Sequence, residues 1–314
     1  MDRPASRRSF LRWAAAAGAA GLAGCRARGL DPASGRLPLA SGTVTPGAAP
    51  AAAPTTVAPA SGPMPAAFVG HGAPTSVLDP ARLAAWTRWT GAMRRPTGIV
   101  VVSAHWRDIP VTIGATTKQP LVYDFYGFPD EMYALRYDAP PSPALATEVE
   151  RRLSPLGRVT RDEERWLDHG AWCPLLGMYP RADVPCVPLS FPTEEPEELL
   201  SIGRALAPLR EQGVLILASG NLVHNLRRIG GDDDTTPSWA AEFDAWCAEA
   251  LVRRDLDALV DYRRKAPGPN LAHPTKEHFI PLFVALGAAE GAAVSFPVTG
   301  FEGASISRRC VQLG

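Results

Sequence analysis

Three stretches of this chain are apolar at nearly every position rather than at every second one, and each leads into a histidine. They are Pro65-Ala66-Ala67-Phe68-Val69, followed by Gly70-His71-Gly72; Gly98-Ile99-Val100-Val101-Val102-Ser103-Ala104, followed by His105-Trp106; and Val214-Leu215-Ile216-Leu217-Ala218-Ser219-Gly220, followed after Asn221-Leu222-Val223 by His224. A strand with one face in water alternates apolar and polar residues, whereas an unbroken apolar run is a strand covered on both faces. Shorter runs of the same character lie at 110–114 and 185–190. Between the runs are helical patterns. Residues 79–93 open at Asp79-Pro80 and 142–154 at Ser142-Pro143, each a capping residue followed by proline at the first helical position. Further helices are predicted over 196–209, over 237–252, and over 274–287 from Pro274. Strands alternating with helices predict an α/β fold: one layered domain with a largely parallel or mixed central sheet flanked by helices.

In such sheets ligands collect beyond the carboxyl ends of the strands. His71, His105 and His224 all fall there, on three different strands. Imidazole is the commonest metal ligand and the side chain that titrates nearest neutrality. A single strand-end histidine is as readily satisfied by local hydrogen bonds; three together point to a site. The remaining histidines are His169, in Asp168-His169-Gly170-Ala171-Trp172, and His273 and His278, which bracket the start of the last predicted helix.

The N-terminus reads as an address rather than as fold. Ser6-Arg7-Arg8-Ser9-Phe10-Leu11 has the form of a twin-arginine export signal, and the apolar stretch after it is too short to span a bilayer. Leu22-Ala23-Gly24-Cys25 resembles a lipobox, in which Cys25 would carry lipid and begin the mature chain. Residues 1–25 are therefore expected to direct export by the twin-arginine route to the periplasm or cell envelope, with lipid on Cys25 as the only membrane contact. Residues 26–63, dominated by Ala, Pro, Gly, Ser and Thr and without an aromatic, are too poor in apolar surface to fold and read as a tether. Residues 64–314 are then expected to form one sizeable α/β domain with a single core. With 32 basic and 32 acidic residues and no basic stripe, nucleic-acid binding is disfavoured. Asp232-Asp233-Asp234 reads as a solvated loop. Cys173, Cys186, Cys247 and Cys310 are widely spaced, which argues against a thiolate zinc site and suits buried free thiols, with disulfides as the alternative in an oxidising compartment.

From about Met64 to Gly314 the chain resembles the extradiol aromatic ring-opening dioxygenases of the 4,5-DOPA dioxygenase branch of the LigB-like superfamily. The motifs that carry the resemblance are Gly70-His71-Gly72-Ala73-Pro74, Ser103-Ala104-His105-Trp106, Tyr123-Asp124-Phe125-Tyr126-Gly127-Phe128-Pro129, Leu167-Asp168-His169-Gly170-Ala171-Trp172, Ser219-Gly220-Asn221-Leu222-Val223-His224-Asn225-Leu226 and His273-Pro274-Thr275-Lys276-Glu277-His278-Phe279, with Gly303-Ala304-Ser305-Ile306-Ser307 near the C-terminus. An isolated Gly-His-Gly is weak; this ordered series is specific. The export signal departs from the family, whose members are associated with the cytoplasm.

The resemblance implies a LigB-like fold and one divalent metal ion, Fe(II) or Zn(II), held by His71 and His105. The third ligand comes from the Glu277-His278 region, where the branch favours His278; His273 is a further candidate. On a helix Glu277 and His278 would point about 100° apart, so only one of them could face the ion. Three neutral imidazoles would leave a divalent site at +2 where a carboxylate would leave it at +1, strengthening catecholate binding. His224 resembles the family's acid/base residue, titrating near the working pH, and His169 a histidine that touches substrate or oxygen. Tyr123, Asp124 and Tyr126, in a Gly/Pro-containing loop, would wall the substrate. The implied reaction joins a small aromatic diol with O2 to give a muconic semialdehyde. Two other readings suit the same residues: a zinc-dependent hydrolase on this scaffold, and a tethered binding lipoprotein, against which the presence of both His224 and His169 speaks.

Overall fold

The computed structural model describes residues 62–230 and 235–314. The export signal, the tether up to residue 61 and Asp232-Asp233-Asp234 lie outside the described residues.

The strands are β1 (Ala66–Gly70), β2 (Gly98–Arg107), β3 (Val111–Ile113), β4 (Val159–Arg161), β5 (Cys186–Phe191), β6 (Val214–Gly220), β7 (Val294–Ser295), β8 (Phe301–Glu302), β9 (Ile306–Ser307) and β10 (Val311–Leu313). The helices are α1 (Pro80–Gly91), α2 (Asp130–Ala134), α3 (Pro143–Leu153), α4 (His169–Met178), α5 (Pro196–Leu206), α6 (Ser238–Arg253), α7 (Leu256–Val260), α8 (Tyr262–Lys265), α9 (Pro269–Ala272) and α10 (Pro281–Ala288). Eight strands form one sheet in the order β4-β3-β5-β2-β6-β1-β10-β7, and β8 and β9 make a separate hairpin. The middle of the sheet, β5-β2-β6-β1, is parallel throughout. Antiparallel partners join it on both sides, β3 against β5 and β10 against β1, so the sheet is mixed.

The unbroken apolar runs do what their pattern demands. Along β2, Val100 and Val102 face one core while Ile99 and Val101 face another; along β6, Ile216 and Ala218 oppose Leu215 and Leu217. The first core is closed by residues of α3, α5, α6 and α10, the second by residues of α1 and α4. α5 and α10 meet backbone to backbone: a Cβ on Gly287 would lie 2.1 Å from the Leu200 carbonyl oxygen, and one on Gly203 2.2 Å from that of Val284. All four cysteines in the described residues are buried and free.

Caps behave as expected at two starts. The Asp79 side chain accepts from the Ala81 N–H ahead of α1, and that of Ser142 from the Leu145 N–H ahead of α3. The last helix is a correction. It begins at Pro281, not Pro274, and residues 274–280 form a chain of turns closed by Phe279 N–H to Lys276 O (2.9 Å) and Phe283 N–H to Ile280 O (3.0 Å). Two prolines compete for the first helical position, and the apolar run that can be buried all round, Leu282 to Ala288, starts after the second. Glu277 and His278 are therefore not related by helical geometry.

Candidate active site

The carboxyl ends of β1, β2 and β6 deliver three histidines to one cavity of about 600 Å³, and α4 and the 274–280 turns add two more. His71, His105, His169, His224 and His278 all line it. Among the ring pairs, His71–His105, His71–His278 and His105–His278 have centroids 5.1, 5.3 and 4.9 Å apart. His169 lies 4.0 Å from His105, and His224 stacks on His278 at 3.4 Å. Ligand-capable atoms of His71, His105 and His169 fall within 4.8 Å of one another, as do those of His224, Glu277 and His278.

The hydrogen bonds fix how these rings are protonated. Pro174 inside α4 has no N–H to offer the Gly170 carbonyl one turn back. That carbonyl instead accepts the hydroxyl proton of Ser219, at the end of β6. With its one proton spent, Ser219 Oγ can only accept from His71 Nδ1, 2.9 Å away. His71 therefore carries its proton on Nδ1 and presents Nε2 as a lone pair. His169 is settled likewise: its Nδ1–H and its backbone N–H donate to Asp124 Oδ1 at 2.9 and 3.1 Å. His278 Nδ1 lies 3.1 Å from Glu277 Oε1, and His105 Nδ1 is 3.5 Å from Asp124 Oδ2. Nδ1 of each of these four rings faces a protein oxygen, and Nε2 is left for the cavity.

Burial keeps four of the imidazoles, His71, His105, His224 and His278, neutral. Burial, then the neighbouring histidines, holds His71, His224 and His278 well below their ordinary value. Burial, then His169, brings His105 to about 4. Burial opposes ionisation of Asp124, yet the hydrogen bonds donated by His169 bring its carboxyl down to about 2. His224 thus sits well below the neutral range expected of it.

The donor set fits a divalent cation. His71 Nε2 and His105 Nε2 face each other at 3.2 Å. Two nitrogens bound about 2.1 Å from one ion would be separated by ~3 Å, and two neutral lone pairs so placed repel until a cation lies between them.

Three expected contributors lie elsewhere. His273 is fully buried under Phe243 and Phe279, and its Nε2–H donates to the Leu222 carbonyl at 2.8 Å. Together with Asn221 N–H to His278 O and His224 N–H to Ala272 O, both 2.9 Å, that bond ties the loop carrying His224 to residues 272–278. It braces the site without facing the cavity. Tyr123 turns away, its hydroxyl donating to Leu135 O at 2.6 Å and accepting from Arg136 at 2.8 Å. Tyr126 is 88% exposed. The aromatic walls are Phe125 and Phe128, with Leu226, Ile229 and Ile306 completing them. Leu226 and Ile229 carried a faint signal, large apolar residues in a polar loop just after His224; Ile306, from a hairpin far along the chain, carried none.

A buried cluster of imidazoles at the end of a mixed α/β sheet, opening on an apolar cavity, defines a histidine-lined metalloenzyme site. The family model described as the catalytic LigB subunit of aromatic ring-opening dioxygenase matches residues 65–308. The chain is 41% identical over 259 residues to a 4,5-DOPA dioxygenase extradiol of Escherichia coli (strain K12), covering 80% of this chain and 95% of that protein. It is 39% identical over 230 residues to the protein of the same description from Beta vulgaris, covering 71% and 85% of the two. A crystal structure of an uncharacterized protein from Escherichia coli K12 matches with a TM-score of 0.69 and 37% identity, over 80% of this chain and 100% of that one. The chain belongs to the LigB family of aromatic ring-opening dioxygenases, as an enzyme of the extradiol type.

Proposed function

We propose that this protein opens the ring of a DOPA-like catechol beside its diol to give a muconic semialdehyde, with His71, His105 and His278 holding one metal ion. The observation that carries the reading is the approach of His71 Nε2 to His105 Nε2, 3.2 Å apart in a cavity that three further histidines line. His278 is preferred to His169 as the third ligand because its ring makes a nearly equilateral triangle with the other two, of sides 4.9 to 5.3 Å. Glu277 is occupied with His278 Nδ1 and Thr275, so its carboxylate orients that ring instead of competing for the ion. Fe(II) in this site would chelate the diol and activate O2, whereas Zn(II) suits the same imidazoles but has no redox chemistry.

The protein's own groups do the rest. Phe125, Phe128 and Ile306 give the aromatic ring apolar walls. His224 makes no side-chain hydrogen bond among the described residues and is neutral, so a ring nitrogen is free to take a catechol hydroxyl proton and return it later. His169, locked by Asp124 through Nδ1, presents its Nε2 to the substrate at a fixed place. The relatives described as 4,5-DOPA dioxygenases support a DOPA-like substrate.

The test is Fe(II)-reconstituted protein under oxygen with L-DOPA, protocatechuate and simple catechols. A yellow ring-fission product, lost in His278→Ala and strongly reduced in His224→Ala, is expected. Absence of product with every catechol, or anaerobic hydrolysis of an ester or amide by the zinc form, would overturn the proposal. Export by the twin-arginine signal, with lipid on Cys25 and residues 26–63 as the tether, belongs to the same reading; the intact mass of the exported protein checks it.

A further inference from the structure

Arg82, on α1, is 1% exposed and makes three contacts at once. Its Nη1 donates to Glu302 at 2.9 Å, its Nη2 to the Gly70 carbonyl at 2.9 Å, and its guanidinium lies 4.8 Å from the centroid of the Trp86 ring. Glu302 comes from the β8–β9 hairpin, which also supplies Ile306 to the cavity wall. Its second oxygen accepts the Ala73 N–H, and a Cβ on Gly72 would run into its carboxylate. One ion pair, its arginine buried and its glutamate half-buried, thus grips the chain immediately before His71, at Gly70, and two residues after it, at Ala73. A pair that takes a buried guanidinium out of water gives little net stability over an apolar replacement, so its presence calls for a role in geometry.

We propose that the Arg82–Glu302 pair is a positioning device for His71, holding the 70–73 turn so that His71 Nε2 stays aimed at the metal position and making the C-terminal hairpin part of the metal centre. The inference rests on the reading of His71 as a ligand. Arg82 acts through His71 and Gly70; Glu302 also lines the cavity, so metal affinity, not turnover, is the quantity that tests its hold on His71.

The experiment measures Co(II) and Zn(II) dissociation constants by competition with a chromophoric chelator, at a temperature where thermal melts show every variant folded. Glu302→Gln keeps the shape and removes the charge; Arg82→Lys keeps the charge and cannot span both contacts. Each is expected to weaken metal binding about ten- to a hundredfold, with kcat per bound Fe(II) falling less than affinity. Wild-type affinity in both variants, with only a lowered melting temperature, overturns the proposal and leaves the pair purely structural. His71→Ala is the reference: if it binds metal as tightly as wild type, His71 is no ligand, and both this inference and the ligand assignment fall.

Discussion

One proton decides whether His71 can serve a metal. It sits on Nδ1 because Ser219 must donate elsewhere, and Ser219 donates elsewhere because Gly170 has a carbonyl that Pro174 leaves free. Ser219→Ala removes the acceptor and frees the ring to flip or change tautomer; chelator competition should show about a ten- to hundredfold loss of metal affinity. His273 makes the contrasting case. Its ring donates to Leu222 O and sits in the core, so His273→Gln should keep one metal per chain, measured by elemental analysis, while costing on the order of 1–3 kcal/mol in denaturant titration. His278→Ala should do the reverse, losing the metal with a smaller effect on the metal-free fold. By residue type and position the two histidines look alike, being five residues apart and flanking the same proline motif; the family resemblance favours His278 and keeps His273 as a further candidate. Only the turns of 274–280 aim one into the cavity and the other into the core.

At the scale of elements, the apolar runs were legible because burial on both faces leaves a mark at every position. β1, β2, β5 and β6 begin and end within a few residues of where composition places them, and the capped starts of α1 and α3 do also. α4 left no such mark. It carries a proline and two glycines, is buried nearly all round, and so has neither a helical stripe nor good propensity. Tertiary contact supplies what propensity lacks, and the flaw in its ladder is what connects to Ser219. The edge strands β4 and β7, and β10 next to β7, are two or three residues long, too short for a pattern. α5 and α10 make a prediction of their own. Their approach is set by Gly203 and Gly287, so Gly287→Ala forces the Leu200 backbone away and should cost about 1–3 kcal/mol in a urea unfolding curve.

For the molecule as a whole, five buried neutral imidazoles link stability to pH. In the unfolded chain each titrates near its ordinary value of about 6.5; in the fold, burial holds His105 and His273 at about 4 and His71, His224 and His278 well below their ordinary value. Between those values the unfolded chain binds more protons, so this contribution is complete above pH 6.5 and is lost as pH falls towards 4. Each of His105 and His273 accounts for up to about 3 kcal/mol. Thermal melts of metal-free protein should therefore drop steeply across that window. Saturating metal should hold the melting temperature higher near pH 6.5 and lose that advantage as protons displace it.

The sequence by itself determined the layered α/β fold and the gathering of histidines at the strand ends, because a chain cannot bury continuous aliphatic strands without covering both faces, and a parallel sheet sends their carboxyl ends to one side. The family resemblance assigned those residues a chemistry. Only the tertiary structure decided which nitrogen of each ring is free, that His273 is a brace, that Tyr123 and Tyr126 leave the walls to Phe125, Phe128 and Ile306, and that Glu302 reaches across to the His71 turn. Those outcomes depend on hydrogen bonds and contacts between residues far apart along the chain, such as Ser219 with Gly170 or Arg82 with Glu302. No local pattern encodes them, because each partner's position is fixed by the packing of the whole.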